Sequence, residues 1–208
     1  MILRAKHNFL IYPFFKLYSV WIIKRHFGVI KVLGKFQEKN LPIFLISNHI
    51  SWWDGFWSMY LNVKVFKRKF HFMMLEEQLR KFWFFNYTGG YSVNKKSKSI
   101  IETINYTNEL LTDPSNMVLI YPQGEIITMH QQSFQFEKGI KRILKSHEKY
   151  QLIFQVNLVD YFSAKSPGIY LYFEDFSDDC SDVVTMQESY NAFYKQCIEN
   201  QNKISQTL

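Results

Sequence analysis

Residues 48–54 read Asn48-His49-Ile50-Ser51-Trp52-Trp53-Asp54, directly after the apolar run 41–47. A histidine takes up a proton near neutral pH, and a neighbouring carboxylate fixes its tautomer and stabilises the imidazolium. Such a pair activates a hydroxyl for attack on an acyl group without a covalent enzyme intermediate. On an ideal helix a five-residue spacing sets two side chains about 140° apart. His49 and Asp54 therefore meet only if His49 lies in the turn before a helix and Asp54 in its first turn. The same residues also spell a capping box, Ser51-x-x-Asp54, and an acid in a first turn complements the helix dipole. Under that reading His49 is a loop residue without chemistry, and spacing alone leaves the two readings level.

The surrounding pattern has to deliver this turn. Residues 41–47 read as a buried strand and 52–61 as an aromatic helix. Further strands over 70–74, 91–94, 117–121, 152–160 and 169–173 alternate with helices over 76–85, 97–111, 138–150 and 181–200. Gly89-Gly90, Asp113-Pro114 and Pro122-Gln123-Gly124 punctuate them. The alternation predicts one α/β domain, residues 39–208, with a mixed, largely parallel central sheet flanked by helices. Open sheets of this kind bind ligands beyond the carboxyl ends of their strands.

Composition narrows the partners. The 208 residues are 47% hydrophobic and 18% aromatic, ample for one core. Cys180 and Cys197 are too few for a disulfide framework, no metal-type Cys/His spacing occurs, and no secretory signal is apparent. Residues 1–100 hold 17 Lys+Arg against 4 Asp+Glu, or +13, while residues 101–208 hold 8 against 14, or −6. A basic half is a footprint for an anionic partner.

Residues 1–38 are expected to form an amphipathic, helical, membrane-binding segment, divided into two short helices by Pro13. Phe14, Phe15 and Trp21 are interleaved there with Lys16, Lys24 and Arg25, which suits an anionic bilayer surface. No charge-free run approaches the roughly 18 residues needed to span one. The same pattern also permits a helix packed on its own domain. Interleaved aliphatics and the lack of a nucleic-acid motif disfavour nucleic acid. The expected location is the cytoplasmic face of a membrane, peripheral or monotopic.

Four blocks in order carry a resemblance. Asn48-His49-x-x-x-x-Asp54 is similar to the first motif of the glycerol-phosphate and lysophospholipid acyltransferase family. Gly89-Gly90-Tyr91-Ser92-Val93-Asn94-Lys95 is similar to its second, and Tyr121-Pro122-Gln123-Gly124-Glu125 to its third, which usually reads Phe-Pro-Glu-Gly-Thr-Arg. Phe136-Glu137-Lys138-Gly139 resembles its later Phe-x-x-Gly element. The likeness covers roughly residues 40–160.

The resemblance implies a membrane-associated acyltransferase that moves a fatty acyl group from a thioester to a hydroxyl of a lysophospholipid or related lipid. His49 is then the general base and Asp54 its orienting acid. Asn94, Lys95, Gln123, Gly124 and Glu125 are the implied substrate-binding residues. No cofactor or metal is implied; acyl-CoA or acyl carrier protein enters as co-substrate. The alternatives are a catalytically silent lipid-binding module and acylation of 1-acylglycerol 3-phosphate.

The departures bear on the acceptor. Lys95 stands where the second motif has arginine, and lysine lacks the two-pronged phosphate grip. Gln123 stands for glutamate, and Glu125-Ile126 for threonine and arginine. These changes favour an acceptor without a free phosphomonoester, unless the basic stretch 64–69 compensates or grips the donor's phosphates. Trp52, Trp53 and Trp57 are expected either to line an acyl tunnel or to pack a buried helix.

Overall fold

The computed structural model describes residues 2–94, 99–137, 139–144, 149–176 and 182–206. The chain runs α1 (Ile11–His26), β1 (Val29–Leu33), β2 (Ile43–Ser47), α2 (Asp54–Leu61), β3 (Lys69–Leu75), α3 (Glu76–Lys81), β4 (Gly90–Val93), α4 (Ile100–Leu110), β5 (Asn116–Ile120), α5 (Ile140–Leu144), β6 (Gln151–Asp160), β7 (Gly168–Asp175) and α6 (Val183–Ser205). Lys95 and Lys138, residues 145–148 of the expected helix over 138–150, and Cys180 lie outside the described residues.

The strands form one seven-stranded sheet in the order β1-β7-β6-β2-β5-β3-β4. All neighbours are parallel except β6 and β7, an antiparallel pair. This is the mixed, largely parallel sheet that the alternation predicts. Its central strands are covered on both faces, which is why they read as unbroken apolar runs. Ile43 and Leu45 face a cluster with Ile23 and Phe27 at the end of α1 and Phe56 and Trp57 of α2. Phe44 and Ile46 face the other, with Ile104 of α4 and Tyr190, Phe193 and Tyr194 of α6.

The N-terminal segment departs from expectation. One helix, not two, spans residues 11–26. Pro13 falls in its first turn, where a proline's missing N–H has no intrahelical partner to lose. Asn8 Oδ1 accepts from the amides of Leu10 and Ile11 at 2.9 and 3.1 Å and anchors that start. Residues 29–33, assigned from sequence to the helical segment, are an edge strand paired in parallel with β7. The residues before α1 lie along β4, where Ser92 N–H donates to the Leu3 carbonyl at 2.9 Å and Gly89 N–H to that of Lys6 at 3.2 Å. Gly89 adopts φ +106°, and a Cβ there would lie 1.9 Å from the Phe70 carbonyl oxygen.

Apolar side chains occupy two sides of α1. Ile23 is buried against the sheet and Phe15 stacks on Phe56, while Leu10, Phe14, Leu17 and Trp21 are exposed on the outer side. No helix among the described residues is long and apolar enough to cross a membrane.

Candidate active site

The carboxyl end of β2 delivers the chemistry. Where the chain leaves the sheet, the Asn48 side chain continues the ladder to β6: its Nδ2 donates to the Asn157 carbonyl at 3.0 Å and its Oδ1 accepts from Asn157 N–H at 2.8 Å. Asn157 Nδ2 donates in turn to Ser47 Oγ at 3.2 Å. Asn48 is fully buried, so these bonds leave its amide no polar debt and fix the direction of the next residue.

That next residue is His49, in the turn, with Asp54 opening α2. His49 Nδ1 lies 2.7 Å from Asp54 Oδ2. The same oxygen accepts from the backbone amides of Ile50 and Ser51 at 2.7 and 2.8 Å. One oxygen thus serves both the imidazole and the amides of the turn, while α2 itself has Trp53 at its N-cap and no side-chain cap. Ser51 Oγ completes the turn by accepting from Trp53 N–H at 3.2 Å.

Asp54 has no exposed side-chain surface, whereas His49 keeps 23% of its own. Burial pushes the Asp54 carboxyl up from the usual range; the His49 contact and the two amides oppose that shift. With the carboxylate accepting, the imidazole proton sits on Nδ1. Nε2 then carries the lone pair on the accessible side, the arrangement a general base requires.

The loop after β5 covers this turn. Gly124 sits at φ +71°, a conformation that favours glycine, and its N–H closes a turn onto the Tyr121 carbonyl at 3.1 Å. Gln123 is buried and its Nε2 donates to the His49 carbonyl at 3.2 Å; Ile127 N–H donates to the same oxygen at 3.0 Å. Tyr121 lies flat on the imidazole, with ring centroids 4.1 Å apart and planes 10° apart. Farther along, α6 holds the loop, as Asn191 and Gln187 accept from the amides of Phe134 and Phe136 at 2.7 and 2.8 Å.

The structure therefore joins His49, Asp54, Gln123 and Gly124. Glu125 is exposed on the same loop. Asn94 follows β4 at the same end of the sheet, but β4 and β2 are three strand spacings apart, about 14 Å. The basic stretch 64–69 lies at the opposite end: Lys69 begins β3 beside Asn116, the first residue of β5. A five-residue strand puts about 16 Å between the ends. Arg68 there pairs with Glu38. The stretch is thus too far from His49 to replace a phosphate grip in the site. Trp57 is buried core beside Phe27, whereas Trp52 is 61% exposed.

Sequence reasoning gave no individual role to Asn48, Tyr121 or Asn157. Asn48 and Tyr121 stood within motifs, but what each does depends, like Asn157, on contacts between separate strands and loops.

The acyltransferase family profile matches residues 29–159. The chain belongs to the acyltransferase family. The match begins at the first residue of β1. No curated protein matches the sequence. Among solved structures, the acyltransferase is similar to the 1-acyl-sn-glycerophosphate (LPA) acyltransferase PlsC from Thermotoga maritima. The two share 15% identity at a TM-score of 0.53, over 91% of this chain and 78% of that one. At that identity the likeness is one of fold.

Proposed function

We propose that this acyltransferase moves a fatty acyl group from an acyl thioester to a hydroxyl of a lysophospholipid or related lipid, as a peripheral or monotopic protein on the cytoplasmic face of a membrane. The observation that carries the reading is the 2.7 Å contact between His49 Nδ1 and a buried Asp54, with the imidazole still accessible. His49 Nε2 takes the acceptor's hydroxyl proton as that oxygen attacks the thioester carbonyl carbon. The tetrahedral oxyanion collapses, the C–S bond breaks, and the leaving thiolate recovers the proton from the imidazolium. Asp54 stabilises that imidazolium, as the acid of a serine-protease triad does, with the substrate supplying the attacking oxygen.

Of the turn amides, those of Gly124 and Ile127 already donate to Tyr121 and His49. The oxyanion role falls to the Glu125 and Ile126 amides. Acyl-CoA or acyl carrier protein is the donor and a co-substrate, so the reaction as written calls for no cofactor.

The membrane part of the proposal rests on the outer face of α1. Leu10, Phe14, Leu17 and Trp21 recur at helical spacing and are 55–73% exposed. Tyr18 joins Trp21 to Phe56, against which the exposed Trp52 packs, and Phe15 joins the same group to Phe84 beside the exposed Trp83. Exposed apolar side chains gathered in this way mark an interaction site. Lys24, Arg25 and His26 close the helix and suit anionic headgroups.

Gln123 spends its amide on His49, which supports an acceptor that lacks a free phosphomonoester. The test is thiol release from acyl-CoA in mixed micelles with a lysophospholipid. Wild type should turn over and His49→Ala should not; normal turnover by a folded His49→Ala protein would end the general-base reading. A folded wild type that binds bilayers but transfers no acyl group would support the silent lipid-binding module instead.

A further inference from the structure

One side chain covers the imidazole and ends beside the first turn of α2. The Tyr121 ring covers the His49 imidazole at 4.1 Å and 10°. This near-parallel contact restricts rotation about the Cβ–Cγ bond and adds to the restraint of the single Nδ1 hydrogen bond. At its far end the Tyr121 hydroxyl reaches the first turn of α2, where a Cβ on Gly55 would lie 4.0 Å from it.

Three buried oxygens are grouped on this side of the site. Asp54 Oδ1, Ser58 Oγ and Tyr121 Oη all lack a partner of hydrogen-bond geometry. Burial first, and the Asp54 charge after it, raise the phenol's pKa, while Ser58 moderates it. Tyr121 also begins the loop whose Gln123 and Ile127 hold the His49 carbonyl, so the same segment fixes the residue's backbone and its ring.

We propose that Tyr121 is a positioning residue for the His49–Asp54 pair, its ring setting the imidazole plane so that Nε2 meets the acceptor hydroxyl. The proposal rests on His49 acting as the base. The aromatic ring is the active part, and the hydroxyl serves the Asp54 side. A misplaced base costs rate and not affinity, with losses of up to about 100-fold for shifts near 1 Å.

The experiment compares Tyr121→Phe and Tyr121→Leu in the full chain by thiol release from acyl-CoA, by thermal melting and by proton NMR of the His49 Nδ1–H. Tyr121→Leu should lower kcat by about 10–100-fold with KM for donor and acceptor unchanged, and its Nδ1–H signal should broaden or vanish. Tyr121→Phe should restore both kcat and signal. If the leucine variant does not fold, Tyr121→Met, with a side chain of comparable length, takes its place.

A folded leucine or methionine variant with wild-type kcat, or with only a raised KM, would overturn the proposal. So would a phenylalanine variant as impaired as the leucine one. The NMR signal needs no turnover, so its loss in Tyr121→Leu and return in Tyr121→Phe would uphold the positioning role even if wild type transferred no acyl group. That combination would reject the proposed reaction alone.

Discussion

Asp54→Asn separates the two uses of one carboxylate. Asp54 Oδ2 accepts from His49 Nδ1 and from the amides of Ile50 and Ser51. Those amides are fixed donors, so the asparagine oxygen stays against them and its NH2 takes the place of Oδ1. Asp54 Oδ1 has no hydrogen-bond partner, so an NH2 in its place breaks no existing bond. His49 therefore keeps its Nδ1–H tautomer and loses only the charge that stabilises its protonated form. A hydrogen bond to a charged group is worth about 1.5–3 kcal/mol, against about 1 for a neutral one. The difference is about 0.5–2 kcal/mol, and because each 1.36 kcal/mol is tenfold in rate, kcat should fall about 2–30-fold.

His49→Ala removes the base and should cost about 10²–10⁴-fold with little change in melting temperature. Asp54→Ala differs again, because it leaves two amides without a partner at about 1–3 kcal/mol each. In a domain of this size that lowers the melting temperature by roughly 5–20 °C. Thiol release and thermal melts on the three variants give the comparison. Wild-type kcat in Asp54→Asn would refute the role of the charge. An Asp54→Asn protein that melts normally yet is as inactive as His49→Ala would refute the retained tautomer.

Substituting Phe14, Leu17 and Trp21 together by glutamine should abolish sedimentation with anionic vesicles and leave thiol release to soluble acceptors intact; equal vesicle binding would reject α1 as the docking face. Deleting residues 1–35 is a poorer test than its sequence position suggests, since it removes β1 and the buried Ile23 and Phe27, and it should unfold the chain. In competition with one thioester donor, a lysophosphodiester should be acylated in preference to lysophosphatidate; the reverse preference would place a phosphate grip in the site. Burial, above all, lowers the His7 pKa to about 4 and that of His71 to about 3, with Lys69 nearby adding to both and Asp113 opposing at His71. The unfolded chain, with histidines near 6.5, binds more protons below that pH. Stability is therefore complete above about pH 6.5 and falls as pH drops toward 4 and then 3, by up to about 1.4 kcal/mol per pH unit for each histidine. Urea melts at pH 7 and pH 5 check this, and His71→Asn should flatten the dependence.

The strands and the reactive turn were legible because their signals are local. Residues 43–46 are apolar at every position, as a strand covered on both faces must be. His49 and Asp54 flank a break between strand and helix, so their spacing stated the geometry they would need in order to meet. Gly124 announced its turn by residue type. The capping and pairing readings of Asp54 could not be separated by spacing; the structure brings Oδ2 to the imidazole and to the amides of the turn before the helix.

Where sequence failed, the deciding contacts were distant along the chain. Residues 29–33 look like a continuation of a basic, apolar segment, and only pairing with β7, some 140 residues later, makes them a strand. Pro13 signals a break, yet its place in a first turn, anchored by Asn8, makes it harmless. That Gln123 also holds the His49 carbonyl depends on a closure of 74 residues and carried no local signal. The basic stretch 64–69 was a candidate phosphate grip until sheet register put it at the far end of the strands. Local composition by itself determined the residue types and the elements that carry them. Which side chains meet, and so which of them serve the chemistry, was decided by strand order and register, because only these set distances between residues far apart in the chain.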